Sequence, residues 1–185
     1  VSPTQGNKRV TAYNGRSAHE RVEDFLAHAI ALEAEVADRY AEIAGSMQVH
    51  NNHEVAALFD KLARASHKHA DQMKARSEGL TLPEIAPWDL QWGDVEAPET
   101  PSMSETHYLM TAYHALDLAR DAEIKAQNYY TAVAEDSKNP DVCKLALEFA
   151  YEEAEHVDMI NNLITRYPKP QKGWDLDLDP PANPG

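Results

Sequence analysis

In the stretch "YEEAEH", residues 151–156, Glu153 and His156 stand three residues apart, the spacing that puts two side chains on one face of a helix. A carboxylate and an imidazole presented together suit a divalent metal, and iron, manganese and zinc all accept these donors. Sliding "LARASHKHADQM" (62–73) onto "FAYEEAEHVDMI" (149–160) aligns His69 with His156 but sets Ser66 against Glu153. Two more glutamates interrupt apolar stripes at comparable depth: Glu33 between Ile30 and Val36–Ala37, and Glu123 between Ala119 and Ala126. Burying a carboxylate without a partner is costly, so each must be neutralised, paired or bound to metal. No lysine or arginine shares these stripes, since Arg120 and Lys125 flank Glu123 off its line. A divalent ion would relieve the repulsion among the carboxylates. Glu33, His69, Glu123, Glu153 and His156 are therefore the candidate metal ligands. Taken singly, such a glutamate is more often an edge residue reaching for solvent, and such a histidine a hydrogen-bonded core residue. It is the interruption of all four helices at one depth that favours metal.

The pattern is duplicated. Tyr40 follows Glu33 by seven residues and Tyr130 follows Glu123 by seven, almost two helical turns, so each tyrosine shares its glutamate's face. Each is either an ordinary core aromatic or a hydroxyl that hydrogen-bonds a ligand carboxylate. Ser66 comes 33 residues after Glu33, and Glu153 comes 30 after Glu123. Two hairpins with one pattern predict a pseudo-twofold molecule with its site on the axis.

The elements that must position these residues are four long segments rich in Ala, Leu, Glu and Lys. Ser17 with Glu20, Asn51 with Glu54 and Ser102 with Glu105 have capping-box spacing, and Asn139 precedes Pro140 at a first helical position. The apolar stripes run from Leu26 to Met47, Val55 to Met73, Leu109 to Val133 and Val142 to Ile164. Short breaks make helices one and two, and three and four, antiparallel hairpins. Residues 79–101, "GLTLPEIAPWDLQWGDVEAPETP", are too long to join neighbours and predict a crossover along the bundle. The fold expected is all-α, a ferritin-like four-helix bundle over 17–166. A disordered lead-in is expected at 1–16 and a Pro/Asp-rich tail at 167–185. Trp88 and Trp92 of the crossover are expected to cap the bundle.

The chain has 185 residues, about one domain, and a net charge of −14. That charge disfavours nucleic acid and anionic membranes as partners. The single Cys143 excludes an intrachain disulfide and a CxxC metal knuckle, and fits a reducing compartment. No apolar run approaches the roughly 18 residues that span a bilayer. The first residues have no signal-peptide core, so a cytoplasmic location is expected.

At this point the chain resembles the rubrerythrin-like branch of the ferritin-like superfamily over about residues 20–166. The residues that carry the likeness are Glu33 in "LEAEVADRY", His69 in "ASHKHA", Glu123 in "AEIKAQNYY", and Glu153 with His156 in "YEEAEH". The resemblance implies a carboxylate-bridged centre of two iron ions, redox chemistry on hydrogen peroxide or oxygen, and a homodimer. The chain departs from the pattern in two ways. Without a CxxC pair the chain is expected to lack the rubredoxin-like domain and to take electrons from an external donor protein. Ser66 stands in the place of a ligand glutamate, leaving three carboxylates to face two divalent ions. Either the centre is asymmetric, with one open metal position, or it holds a single metal. His67 cannot substitute, because it points about 100° away.

Besides a bundle whose site no longer binds metal, two functions compete on this reading. One is a dimetal peroxidase or oxidase in which Tyr40 and Tyr130 orient carboxylates and the opening beside Ser66 admits the oxidant. The other is an iron-binding, sensing or partner-binding bundle with an incomplete site. There the tail, which alternates Asp with Trp174, Leu176 and Leu178, either docks a partner or packs along the bundle.

Overall fold

The computed structural model describes residues 20–85 and 106–176. They form four helices: α1 (Val22–Val49), α2 (His53–Arg76), α3 (Ala112–Asp136) and α4 (Pro140–Ile164). Among the described residues there is no strand. The expected lead-in at 1–16, most of the crossover with Trp88 and Trp92, and the tail beyond 176 lie outside them.

The expected helix starts were only partly right. Asn139 caps α4 as predicted, accepting the Asp141 N–H at 2.9 Å with Pro140 following. In the first hairpin Asn51 does not cap; it takes the left-handed conformation (φ 60°), which asparagine tolerates, and Asn52 becomes the N-cap of α2. The third helix starts after Thr111, whose N–H donates to His114 Nδ1 at 3.1 Å, so a histidine takes the place foreseen for a glutamate. Ser17 and Ser102 lie outside the described residues, and α1 begins only at Val22. Leu109, expected to begin the third stripe, precedes α3 and is exposed.

Helices α1 and α2 pack as one hairpin and α3 and α4 as another. Two apolar clusters fill the bundle, one towards each end. The first joins Tyr40, Ile43, Phe59, Leu116 and Ile160, and the second joins Phe25, Met73, Tyr130, Val133 and Phe149. The end of α1 thus meets the start of α2, the start of α3 and the end of α4. Helices α2 and α3 therefore run the same way. A 24-residue helix is about 36 Å long, so the link between them has to climb the bundle's height. That is the one-crossover arrangement of a ferritin-like bundle.

The pseudo-twofold relation reaches the turns. Asn52 donates its side-chain amide to the Met110 carbonyl at 2.7 Å, just before α3. Asn139 donates its own to the Glu20 carbonyl at 3.0 Å, just before α1. Asn52 and Asn139 each lie 14 residues before Ser66 and Glu153, and Glu20 and Met110 each lie 13 before Glu33 and Glu123. Each hairpin's second helix is thereby tied to the entry of the other hairpin.

Past Tyr167 the chain stays on the bundle as far as Trp174. Both aromatics pack against the first cluster, and the Trp174 ring lies 3.7 Å from that of His114. Tyr167 and Trp174 thus hold this part of the tail against the bundle.

Candidate metal centre

Between the two apolar clusters the core changes character. Helical periodicity delivers Glu33 inward from α1 between Leu32 and Val36, and it is 2% exposed. From α2 comes His69, whose Nδ1 lies 3.3 Å from Glu33 Oε1. The second hairpin repeats the pairing across its own helices. His156 Nδ1 lies 2.9 Å from Glu153 Oε2 on its own helix and 3.4 Å from Glu123 Oε2 on α3. The hairpins meet through the two imidazoles, which stack with centroids 4.5 Å apart at 23°. All five residues singled out in the sequence are therefore gathered at one level of the bundle.

Burial without a fixed cation shapes the protonation of the cluster. Removal from water pushes the Glu33 carboxyl up, against the pull of His69. Burial likewise pushes Glu153 up to about 9, with His156 opposing and Glu123 adding to the rise. For His156 burial works towards the neutral ring, but its bonds to Glu123 and Glu153 outweigh this and raise it to about 10. Those last two shifts are not both complete at once, because a protonated Glu153 offers His156 no charge to lean on. They agree on the chemistry: at neutral pH the cluster retains protons between its donor atoms, where a cation would otherwise sit.

The donor set fits a metal. His69, Glu153 and His156 each present a donor atom, and these lie within 4.8 Å of one another. Metal–donor bonds of about 2.0–2.2 Å place two donors of one ion up to about 4.4 Å apart, so a few tenths of an ångström of side-chain movement closes the gap. Arg120 is engaged by Asp117 at 2.6 Å and Lys125 is exposed, so neither competes as counter-ion.

A cavity of about 210 Å³ leads to the cluster, lined by Glu33, Tyr40, Ser66, His69, Glu123 and His156, with Leu62 and Ile160 as apolar wall. Tyr40 thus borders the site. Tyr130 is absent from the lining and packs edge-on against Phe25 and Phe149 in the second cluster. Ser66 is buried on the cavity wall, whereas His67 is exposed. Ala65, Lys68 and Met159 also line the cavity and were not anticipated; all three are exposed, and exposed positions leave no periodic signal. His28 is a buried histidine the stripes did not reveal. Its Nδ1–H donates to the Asp24 carbonyl at 2.7 Å, and burial holds its pKa down.

The rubrerythrin family profile matches residues 24–113 and 114–176, both hairpins in full or nearly so. A crystal structure of an uncharacterized conserved protein from Magnetospirillum magnetotacticum MS-1 is 45% identical, with a TM-score of 0.61, and the match covers 82% of this chain and 98% of that one. No curated protein matches the chain. No described helix is long and apolar enough to cross a membrane. Two hairpins matched along their length, around a Glu/His cluster that all four helices build, establish that this chain belongs to the rubrerythrin family.

Proposed function

We propose that the protein is a non-haem iron protein that reduces hydrogen peroxide or oxygen, drawing electrons from an external donor protein. The observation that carries the reading is the convergence of Glu33, His69, Glu123, Glu153 and His156 at one level of the bundle from four helices, with all but Glu153 lining one cavity. Glu33, Glu123 and Glu153 supply the charge that holds two divalent ions, and His69 and His156 supply one imidazole each. Bound iron would contribute the ferrous–ferric cycle that passes electrons to the oxidant. For peroxide the balance is two electrons and two protons per molecule, giving two waters. Binding requires deprotonated donors, so His156 and Glu153 give up the protons they hold without metal. Tyr40 stands on the cavity wall to orient a carboxylate or the incoming oxidant.

A second reading has one ion held by His69, Glu153 and His156, favoured by the closeness of those three donors. Anaerobic ferrous titration of metal-free protein, with elemental analysis, separates the two. Two irons per chain, with peroxide consumed when a reductant is supplied, support the two-metal enzyme. One iron per chain supports the second reading. Turnover no faster than free iron removes the enzymatic one.

A further inference from the structure

At the positions that face the cluster, Glu33 and Glu123, His69 and His156, the two hairpins repeat each other, and at one further buried position they do not. On α4, Glu153 is 1% exposed and meets His156 at 2.9 Å. On α2 the equivalent position, one turn before His69, is Ser66, which carries a hydroxyl where a glutamate carries a carboxymethyl group. What is missing has the size and charge of acetate. Neighbouring side chains have not closed the gap, since Ser66 still lines a cavity of about 210 Å³. Among the described residues none hydrogen-bonds the Ser66 hydroxyl, which leaves it able to donate to an occupant.

The walls indicate what that occupant is. The volume falls below the roughly 300–1,000 Å³ of pockets that hold drug-sized ligands, so the occupant is small. Leu62 and Ile160 form an apolar side, and Lys68, an exposed lysine, is part of the lining in a protein whose net charge is −14. A local cation on an acidic surface favours entry of an anion at that point. Two divalent ions would face only three protein carboxylates, a deficit that a monoanion fills and a neutral water does not.

We propose that the cavity beside Ser66 is a subsite for a short aliphatic monocarboxylate, its carboxylate taking the place of the missing glutamate next to His69 and its hydrocarbon end lying against Leu62 and Ile160. The inference rests on the metal-centre reading, which it deepens by naming the ligand that completes the centre. The protein's metal affinity then depends on an organic acid in solution, and the oxidant reaches the centre through a cavity that the acid also occupies.

The test uses metal-free full-length protein titrated with cobalt(II), in propionate and in chloride at equal ionic strength, followed by visible spectra and elemental analysis. Propionate is expected to alter the cobalt spectrum saturably and to tighten cobalt binding on the order of tenfold, within the range typical of coupled sites. Cobalt must tighten propionate binding by the same factor. Ser66→Glu is expected to bind cobalt with no response to propionate. Lys68→Gln is expected to keep the cobalt stoichiometry and to weaken propionate roughly two- to fivefold, as befits an exposed charge. Wild-type protein that binds cobalt but ignores propionate overturns the subsite and leaves the metal centre standing. Wild-type protein that binds no cobalt overturns both. If Ser66→Glu does not fold, the wild-type comparison of propionate with chloride still decides.

Discussion

Asn52 and Asn139 do the same work at opposite ends of the bundle. Each precedes the second helix of its hairpin and gives its side-chain amide to a carbonyl at the entrance of the other hairpin, at 2.7 Å to Met110 and 3.0 Å to Glu20. The contact between hairpins is thus fixed at both ends by one residue type in one register, with the Glu/His cluster midway. Replacing either by alanine should cost about 0.5–2 kcal/mol, from the bridging hydrogen bonds alone for Asn52, whose side chain caps nothing, and from bridge and cap together for Asn139. Because the two sites are distant, the double variant should lose close to the sum. Urea unfolding of the two single variants and the double variant measures this, and a double loss well short of the sum would show the ends to be coupled.

His156→Gln should weaken the metal-free protein as well as the metal-loaded one. Its ring is the hydrogen-bonding partner of Glu153 and of Glu123, and a buried carboxyl deprived of such a partner costs about 1–3 kcal/mol. Denaturant unfolding without metal is the measurement. Unchanged stability there would mean that the imidazole contributes nothing until metal arrives.

The pH dependence of the metal-free protein has a definite sign. Glu33 and Glu153 are raised by burial, so the folded state holds their protons above the ordinary carboxylate range, and the stability this gives is lost as pH climbs, through about 9 for Glu153. His156 is raised against the drag of burial by Glu123 and Glu153, and because it titrates together with Glu153 the two make one coupled contribution, complete at low pH and lost as pH rises towards about 10. His28 acts oppositely: burial keeps it neutral, so falling pH below about 6.5 favours the unfolded chain. Thermal unfolding of metal-free protein should therefore give a higher midpoint near pH 6.5 than near pH 9.5. Metal binding, which needs the same groups deprotonated, should strengthen over the interval in which metal-free stability falls. A midpoint that rises towards pH 9.5 would contradict the assignment of retained protons.

Trp174→Ala tests the tail. The indole lies 3.7 Å from the His114 ring and meets His107 edge-on at 5.6 Å. Losing its partly buried surface should cost about 1–2 kcal/mol. Calorimetry would read the loss, and an unchanged midpoint would free this segment for another role.

Arg76→Ala should be milder. Its guanidinium reaches Glu152 at 2.6 Å and Glu148 at 3.4 Å and lies over the Phe149 ring, but the ion pairs are substantially exposed. A loss of about 0.5–1 kcal/mol, shrinking in high salt, is expected. A larger loss that salt does not touch would point to packing by the arginine stem.

The sequence was most legible where burial imposes a period. Glu33 and Glu153 stood out because a charged residue on an apolar stripe breaks a strong pattern, and Ser66 stood out only against its twin. The helix starts were less legible. A polar residue followed three later by glutamate is common in any solvated segment, and tertiary contacts decide which residue becomes the cap. Asn52 was chosen over Asn51 by its reach to Met110, and the 14-residue spacing shared with Asn139 was the available clue. Nothing local marked Lys68, Met159 or the stacking of His69 on His156, since these depend on how the hairpins face each other. The tyrosines divided as no spacing could foretell: Tyr40 borders the cavity and Tyr130 packs among Phe25 and Phe149.

Both apolar clusters draw side chains from all four helices, so neither hairpin owns a core of its own. The two halves are linked covalently only through the stretch between α2 and α3, and Glu33 and His69 lie before it while Glu123, Glu153 and His156 lie after it. Nicked there, the protein would become two complementary fragments, each exposing half of two cores and half of a cluster. Neither would stay folded alone, but mixed together they would have every contact needed to reassemble.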